Sequence, residues 1–247
     1  MIAQEENNLL VQTNRGTPCG GLMRRYWQPA ALSEELTADK PLPVTLFGEE
    51  LILFRDGQGN PGLIGRYCAH QGMDMIYSRV EPDGIRCLYH GWLFDTCGKV
   101  VVRGDWFPGG EQRLAVGQPA YPCAEIGGMI FTYLGSDESP ALPAGETFVA
   151  PTKVLRAENY LRGILGADET TNGARFVVPN IVVSKAPSGT RSCICWHVPV
   201  DDSSHVVFVV QSLSDLLLIG ESLATAYQVL IKSIEGIASV RPATRQG

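Results

Sequence analysis

Two thiols and two imidazoles occur at short, matched spacing: Cys68-Ala69-His70, then sixteen residues, then Cys87-Leu88-Tyr89-His90. Thiolate sulfur and neutral imidazole nitrogen are metal ligands, and these four make a complete set. Each half supplies one sulfur and one nitrogen, so each can sit at the tip of its own loop. That mixture suits an asymmetric [2Fe–2S] cluster in which one iron takes both cysteines and the other both histidines. A structural Cys2His2 zinc site is the competing reading, yet such sites draw two cysteines from one knuckle and two histidines from another. Four unrelated core residues are the third reading, and it would have to explain two of the chain's four histidines falling at these positions. The spacing favours the cluster.

Around such a cluster, backbone N–H groups of Gln71-Gly72 and Gly91-Trp92 are expected to donate to its sulfurs, the glycines permitting close approach. The Trp92 ring can limit water access there, or serve as an ordinary core aromatic. The other cysteines, Cys19, Cys97, Cys123, Cys193 and Cys195, have no comparable partner spacing. Most read as buried or half-buried small hydrophobes. An odd count of seven, spread along a chain without an export signal, argues against a disulfide framework.

The elements that must hold these loops are mainly strands. From Pro43 the pattern reads as a strand over 44–47, a turn over 48–50 and a second strand over 51–54, which is hairpin chemistry. Short strands with Gly-rich turns continue to Tyr133. A polar, Pro-rich stretch over 136–145 reads as a linker. Beyond it, residues 176–183 and 193–210 are rich in strand formers, and 221–240 reads as a helix with Leu230, Ile231 and Ile234 on one stripe, packed on a sheet. The expected fold class is mainly β with flanking helices (α+β). Its parts are an N-terminal helical segment over 1–37 packing on the core, a β domain over 38–135, the linker over 136–145, and a second unit over 146–247.

With 247 residues and 45% hydrophobic composition, the chain can build sizeable cores. Twenty Lys and Arg against 26 Asp and Glu give a net charge of −6, which excludes a basic footprint for nucleic acid. The N-terminal residues lack a secretory pattern, and the most apolar stretch, 205–219, is too polar for a membrane span. No nucleic-acid or membrane partner is expected, and a cytoplasmic location is.

The ligand residues and their surroundings resemble the Rieske-type non-haem iron ring-hydroxylating oxygenases, specifically the phthalate dioxygenase-like branch of alpha subunits. Tyr89-His90-Gly91-Trp92 with Phe94-Asp95 and Gly98 is similar to that family's second ligand loop. Arg24-Arg25-Tyr26-Trp27-Gln28-Pro29, after Gly16-Thr17-Pro18, is similar to its N-terminal segment, and Tyr121-Pro122, Gly127-Gly128 and Tyr133-Leu134-Gly135 to the end of its Rieske domain. About the first 135 residues are covered, and the likeness continues more weakly through Glu158-Asn159-Tyr160-Leu161 and Trp196-His197-Val198-Pro199. The resemblance implies a Rieske [2Fe–2S] domain over 38–135 and a shortened, helix-grip-like oxygenase domain over 146–247. Respiratory-type Rieske proteins carry an extra disulfide-linked cysteine pair in the ligand loops; Met73, Leu88 and Tyr89 show that it is absent here.

The resemblance also implies a mononuclear Fe(II) held by two histidines and a carboxylate. The matching stretch, 166–177, contains no histidine. By position Glu169, beside Asp168, stands near a bridging acid, and Asn172 and Val177 stand where histidine ligands are expected. His197 and His205 could replace them only if they meet. If Val200 pairs with His205 across a turn at Asp201-Asp202-Ser203-Ser204, His197 pairs with Phe208 and projects from the opposite face. A loop with an odd residue count would change that register.

The expected function is therefore single-electron transfer through the Rieske cluster, from a flavin-dependent reductase or ferredoxin to an oxygenase centre, without a mononuclear iron of the chain's own. A mixed trimer with a full-length oxygenase subunit, or a homotrimer, is the implied assembly. The alternatives are an aromatic-acid mono- or dioxygenase, hydroxylating or demethylating, whose iron ligands are rearranged or supplied by a partner, and a non-functional deletion product.

Overall fold

The computed structural model describes residues 4–102, 117–142, 148–167, 173–185, 192–212, 221–222 and 226–239. Strand β3, Glu49–Arg55, explains how the fold is divided. Its run Leu51-Ile52-Leu53-Phe54 is buried on both faces, as a continuous apolar strand must be. Leu51 and Leu53 face the main core with Leu63. Ile52 and Phe54 face a smaller core with Ile64, Met75, Ile85, Phe94 and the two cysteines Cys68 and Cys87. Each fully buried side chain of this size contributes about 1.5–3 kcal/mol. The sheet is thus a partition with the candidate ligands on one side.

β3 pairs with β2, Leu42–Leu46, and β4, Pro61–Gly65, and β9, Ala120–Tyr121, completes the sheet in the order β2-β3-β4-β9. The β2–β3 turn lies at Phe47-Gly48, both with positive φ (52° and 71°), earlier than the 48–50 expected. Two-residue hairpins favour such left-handed turns because their twist matches the strands. Phe47 tolerates it because it is fully buried and its N–H donates to the Pro199 carbonyl at 2.9 Å. A second four-stranded sheet, β5 Arg79–Glu81, β6 Gly84–Arg86, β7 Leu93–Phe94 and β8 Val100–Val102, covers the smaller core. A three-stranded sheet joins β1, Gln28–Leu32, to β11, Met129–Thr132, and β10, Cys123–Ile126.

The second half forms a six-stranded antiparallel sheet, β12-β16-β15-β14-β13-β17. Its strands are β12 Phe148–Arg156, β13 Arg175–Val177, β14 Ile181–Lys185, β15 Ser192–Pro199, β16 His205–Ser212 and β17 Glu221–Ser222. Helix α3, Tyr160–Leu165, lies against β15. The last helix, α4 Ala226–Ser239, is shorter than the 221–240 expected, because Glu221–Ser222 pairs with β13 instead. It packs chiefly against α1, Gln4–Val11, and α2, Pro18–Met23, rather than on a sheet, with Leu230 and Ile234 buried. No helix among the described residues is long and apolar enough to cross a membrane.

The β15–β16 hairpin corrects one expectation outright. Pro199, not Val200, stands opposite His205, and His197 stands opposite Val207. The connecting loop is residues 200–204, an odd count. Asp201 creates it: its Oδ1 accepts from the Ser203 and Ser204 N–H groups at 2.8 Å each, and the Val200 N–H donates to the Ser204 carbonyl at 3.0 Å. Val200 is drawn into the loop, and His197 and His205 share one face of the sheet.

Candidate metal centre

The two ligand loops are built on one backbone pattern. The first leaves β4, and the Cys68 N–H donates to the Met73 carbonyl at 2.8 Å while the Gly72 N–H donates to the Cys68 carbonyl at 2.7 Å. The second joins β6 to β7, with Cys87 N–H to the Trp92 carbonyl at 2.8 Å and Gly91 N–H to the Cys87 carbonyl at 3.0 Å. Each loop needs a left-handed residue four positions after its cysteine, and glycine supplies it: φ is 73° at Gly72 and 72° at Gly91. The histidines differ only in offset, two residues after Cys68 and three after Cys87.

These loops bring the four predicted side chains together. Both cysteines are buried, and both histidines are half-buried at the tips. The His70 and His90 rings lie edge to face with centroids 4.8 Å apart. Trp92, 8% exposed, lies flat against His70, and Tyr89 leans on His90.

Burial pushes the Cys68 thiol up, against the pull of the His70 and Gln71 N–H groups; the adjacent Cys87 pushes it further. Burial and the neighbouring His90 hold His70 below the ordinary imidazole value. Two buried thiols and two adjacent imidazole rings are the donor set a cationic iron pair would take up, replacing the thiol protons. Among the described residues no three His, Cys, Asp or Glu side chains converge as a single metal ion would require. A two-iron cluster asks for less: the cysteines near each other and the histidines near each other. The residues present fit that group.

The expected N–H donors change in detail. Gly72 and Gly91 give their N–H groups to the cysteine carbonyls, so they close the loops. The groups facing sulfur at Cys68 are the N–H of His70 and of Gln71.

Three residues that sequence reasoning missed brace the loops. Gln118 is buried; its Oε1 accepts from the Ala69 N–H at 2.7 Å, and its Nε2 donates to the carbonyls of Gly65 at 2.7 Å and Tyr67 at 2.9 Å. Arg66 clamps Asp74 through Nε and Nη2 at 3.0 and 2.8 Å, holding the first loop closed. Arg86 donates from Nη1 to the Gly91 carbonyl at 2.6 Å and pairs with Glu81, whose carboxyl falls to about 2 under hydrogen bonds from Arg86 and Arg79. The arginines stand next to or two residues before a cysteine, a signal readable only once the loop pattern is known; Gln118 is remote in sequence and gives none.

The other candidates scatter. Asp168, Glu169 and Asn172 lie outside the described residues. Val177 ends β13 opposite Ile181, an apolar side chain with no ligand atom. His197 and His205, expected apart, meet at 3.2 Å between Nδ1 and Nε2, both buried. Burial pulls His197 down to about 3 and also lowers His205. Among the cysteines, Cys19 is buried against the Tyr160 hydroxyl as a core residue would be, whereas Cys97 is exposed.

A family model described as the Rieske [2Fe-2S] domain matches residues 26–105. The chain is 34% identical over 226 residues to the oxygenase subunit of a tert-butanol monooxygenase / tert-amyl alcohol desaturase from Aquincola tertiaricarbonis, covering 83% of this chain and 48% of that relative. It is 32% identical over 213 residues to the phthalate 4,5-dioxygenase oxygenase subunit of Pseudomonas putida, with the same coverages, 83% and 48%. In fold it is similar to the terminal oxygenase of carbazole 1,9a-dioxygenase from Nocardioides aromaticivorans IC177, with a TM-score of 0.68 at 18% identity over 97% of this chain and 86% of that one. The chain spans about half the length of the curated relatives it matches. With the domain match running through both ligand loops, and the match to oxygenase subunits running well beyond them, the chain belongs to the Rieske-type ring-hydroxylating oxygenase alpha-subunit family and its cofactor is a Rieske [2Fe–2S] cluster.

Proposed function

We propose that Cys68 and Cys87 hold one iron of the cluster and His70 and His90 the other, and that the chain relays single electrons from a reductase or ferredoxin to an oxygenase centre. The observation that carries this reading is the pair of matched loops with thiols inside and imidazole edges at the surface. The cluster, when bound, supplies a one-electron couple. The chain's residues do the rest. Gly72 and Gly91 close the loops, Gln118, Arg66 and Arg86 fix them, and Trp92 keeps water from one face of His70.

Tyr67, Tyr77, Leu88 and Tyr89 are large, exposed side chains in or beside the ligand loops. They offer an apolar rim on which an electron partner can dock while approaching the half-exposed His70 and His90. That the relatives are named as oxygenase subunits supports a multi-component system, and a mixed oligomer with a full-length subunit, which would supply the oxygenase centre, fits a chain with Asn172 and Val177 at the expected iron-ligand positions.

The test is to mix the purified chain with a flavin-dependent reductase, NADH and aromatic acids, following cluster reduction and product separately. Rapid reduction without hydroxylated product is the expected result. Stoichiometric product from the chain alone would overturn the relay role in favour of an oxygenase.

A further inference from the structure

Trp196 precedes His197 on β15 and so projects from the opposite face of the sheet. There it lines a cavity of about 750 Å3, bounded also by β11, the start of β12, α4 and the segment that follows α2. That volume is within the range of small-molecule pockets, about 300–1,000 Å3. Phe131 and Phe148 pack edge-on to Trp196, with ring centroids 5.8 and 5.7 Å away and planes 72° and 82° apart. Trp27 adds a second indole, whose Nε1 donates to the Pro140 carbonyl at 2.8 Å and ties residues 140–142 into the lining. The N–H of Trp196, a ring only 7% exposed, has no acceptor among the described residues.

Two features mark this space as open rather than filled. Gly236 of α4 lines it, and a Cβ there would meet no atom within 4 Å. Alanine at that position would favour the helix by about 1 kcal/mol, so the helix is weaker than the space around it requires. The aromatic walls, with no atoms against them on the cavity side, forgo dispersion contacts that a planar apolar body would restore.

We infer that this cavity binds a small aromatic anion, its ring system among Trp27, Trp196, Phe131 and Phe148 and its anionic group at Arg25. Arg25 carries the one charge among the described residues that line the cavity, and it is exposed, so it can meet an anion at the mouth while the apolar body lies inside. It makes no ion pair among the described residues. Asp137, which feels its charge, accepts instead from the Tyr133 hydroxyl at 2.5 Å. The indole N–H of Trp196 is a donor left for an acceptor atom on the ligand. Binding here uses none of the cluster ligands and does not depend on which residues hold the cluster.

The test is calorimetric titration of the whole chain, cluster in place, with naphthoate as the probe and naphthalenemethanol, its neutral counterpart, in parallel. The wild type is expected to bind one naphthoate per chain, and to bind it more tightly than the alcohol. Arg25→Gln should weaken naphthoate about fivefold, the upper end for an exposed ion pair, and leave the alcohol unchanged. Gly236→Leu, which fills open space and favours the helix, should weaken both probes at least about tenfold without lowering the melting temperature. No naphthoate on the wild type, equal affinity for the two probes, or undiminished binding by Gly236→Leu would overturn the site. Should Gly236→Leu melt earlier than the wild type, photolabelling of the wild type with an azido-naphthoate decides: label on peptides carrying Trp27 or Trp196 supports the proposal, and label confined to other peptides refutes it.

Discussion

His70 and Trp92 come from different ligand loops and yet stack face to face, with ring centroids 4.6 Å apart and planes 12° from parallel. The indole therefore packs against the small core on one side and shields an imidazole on the other. The ring is large enough, and so placed, to serve either reading of Trp92 that the sequence offers.

Trp92→Ala should show both roles. Removing a large buried aromatic costs about 3–5 kcal/mol, read by chemical denaturation. Water admitted beside His70 stabilises the reduced cluster, the more negative state, so the midpoint potential should rise. A loss of stability with an unchanged potential would leave only the packing role.

Gln118→Ala removes one acceptor and two donor contacts from a buried position, leaving the Ala69 N–H and the Gly65 and Tyr67 carbonyls to find other partners. Each group left unpaired costs about 1–3 kcal/mol. A fall in stability of a few kcal/mol and faster loss of cluster iron to a chelator are expected. A variant as stable as the wild type, with iron retained as long, would show that the first loop holds itself.

Ligand residues were legible because coordination chemistry fixes both their type and their spacing, so Cys68, His70, Cys87 and His90 stand out from a chain with only four histidines. The β2–β3 hairpin was legible for the same local reason, apart from the position of its turn. Gln118 was not, since its role depends on β9 arriving beside β4 from far along the chain. The His197–His205 register turned on whether Val200 belongs to strand or loop. Asp201 decides that through hydrogen bonds a period-two pattern cannot express. The packing of α4 was misassigned because an apolar stripe states that a face is buried, not what covers it.

Acid should loosen the second ligand loop through Glu81. Its folded carboxyl sits near 2 against an ordinary 4.5, held down chiefly by Arg86 and then by Arg79. A depressed carboxyl contributes stability that is fully present above its unfolded value and is lost as pH falls through the folded value. Stability should therefore decline between about pH 4.5 and pH 2. Glu81→Gln should flatten that part of the profile, measured as urea midpoint against pH; parallel profiles for variant and wild type would remove Glu81 from the account.

His70→Cys should retain a cluster but lower its potential. A thiolate in place of a neutral imidazole adds negative charge and disfavours the further negative charge of reduction. Potentiometric titration checks this, and a potential equal to or above that of the wild type would contradict it.

The central claim is the assignment of two cysteines to one iron and two histidines to the other. Its most direct test is electron paramagnetic resonance of the reduced protein with nitrogen-coupling measurements, alongside a labile-sulfide assay. The account predicts two labile sulfides per chain and coupling from two imidazole nitrogens, both couplings abolished together with the cluster in Cys87→Ser. A spectrum like that of an all-cysteine ferredoxin, or a chain holding zinc without labile sulfide, would contradict it.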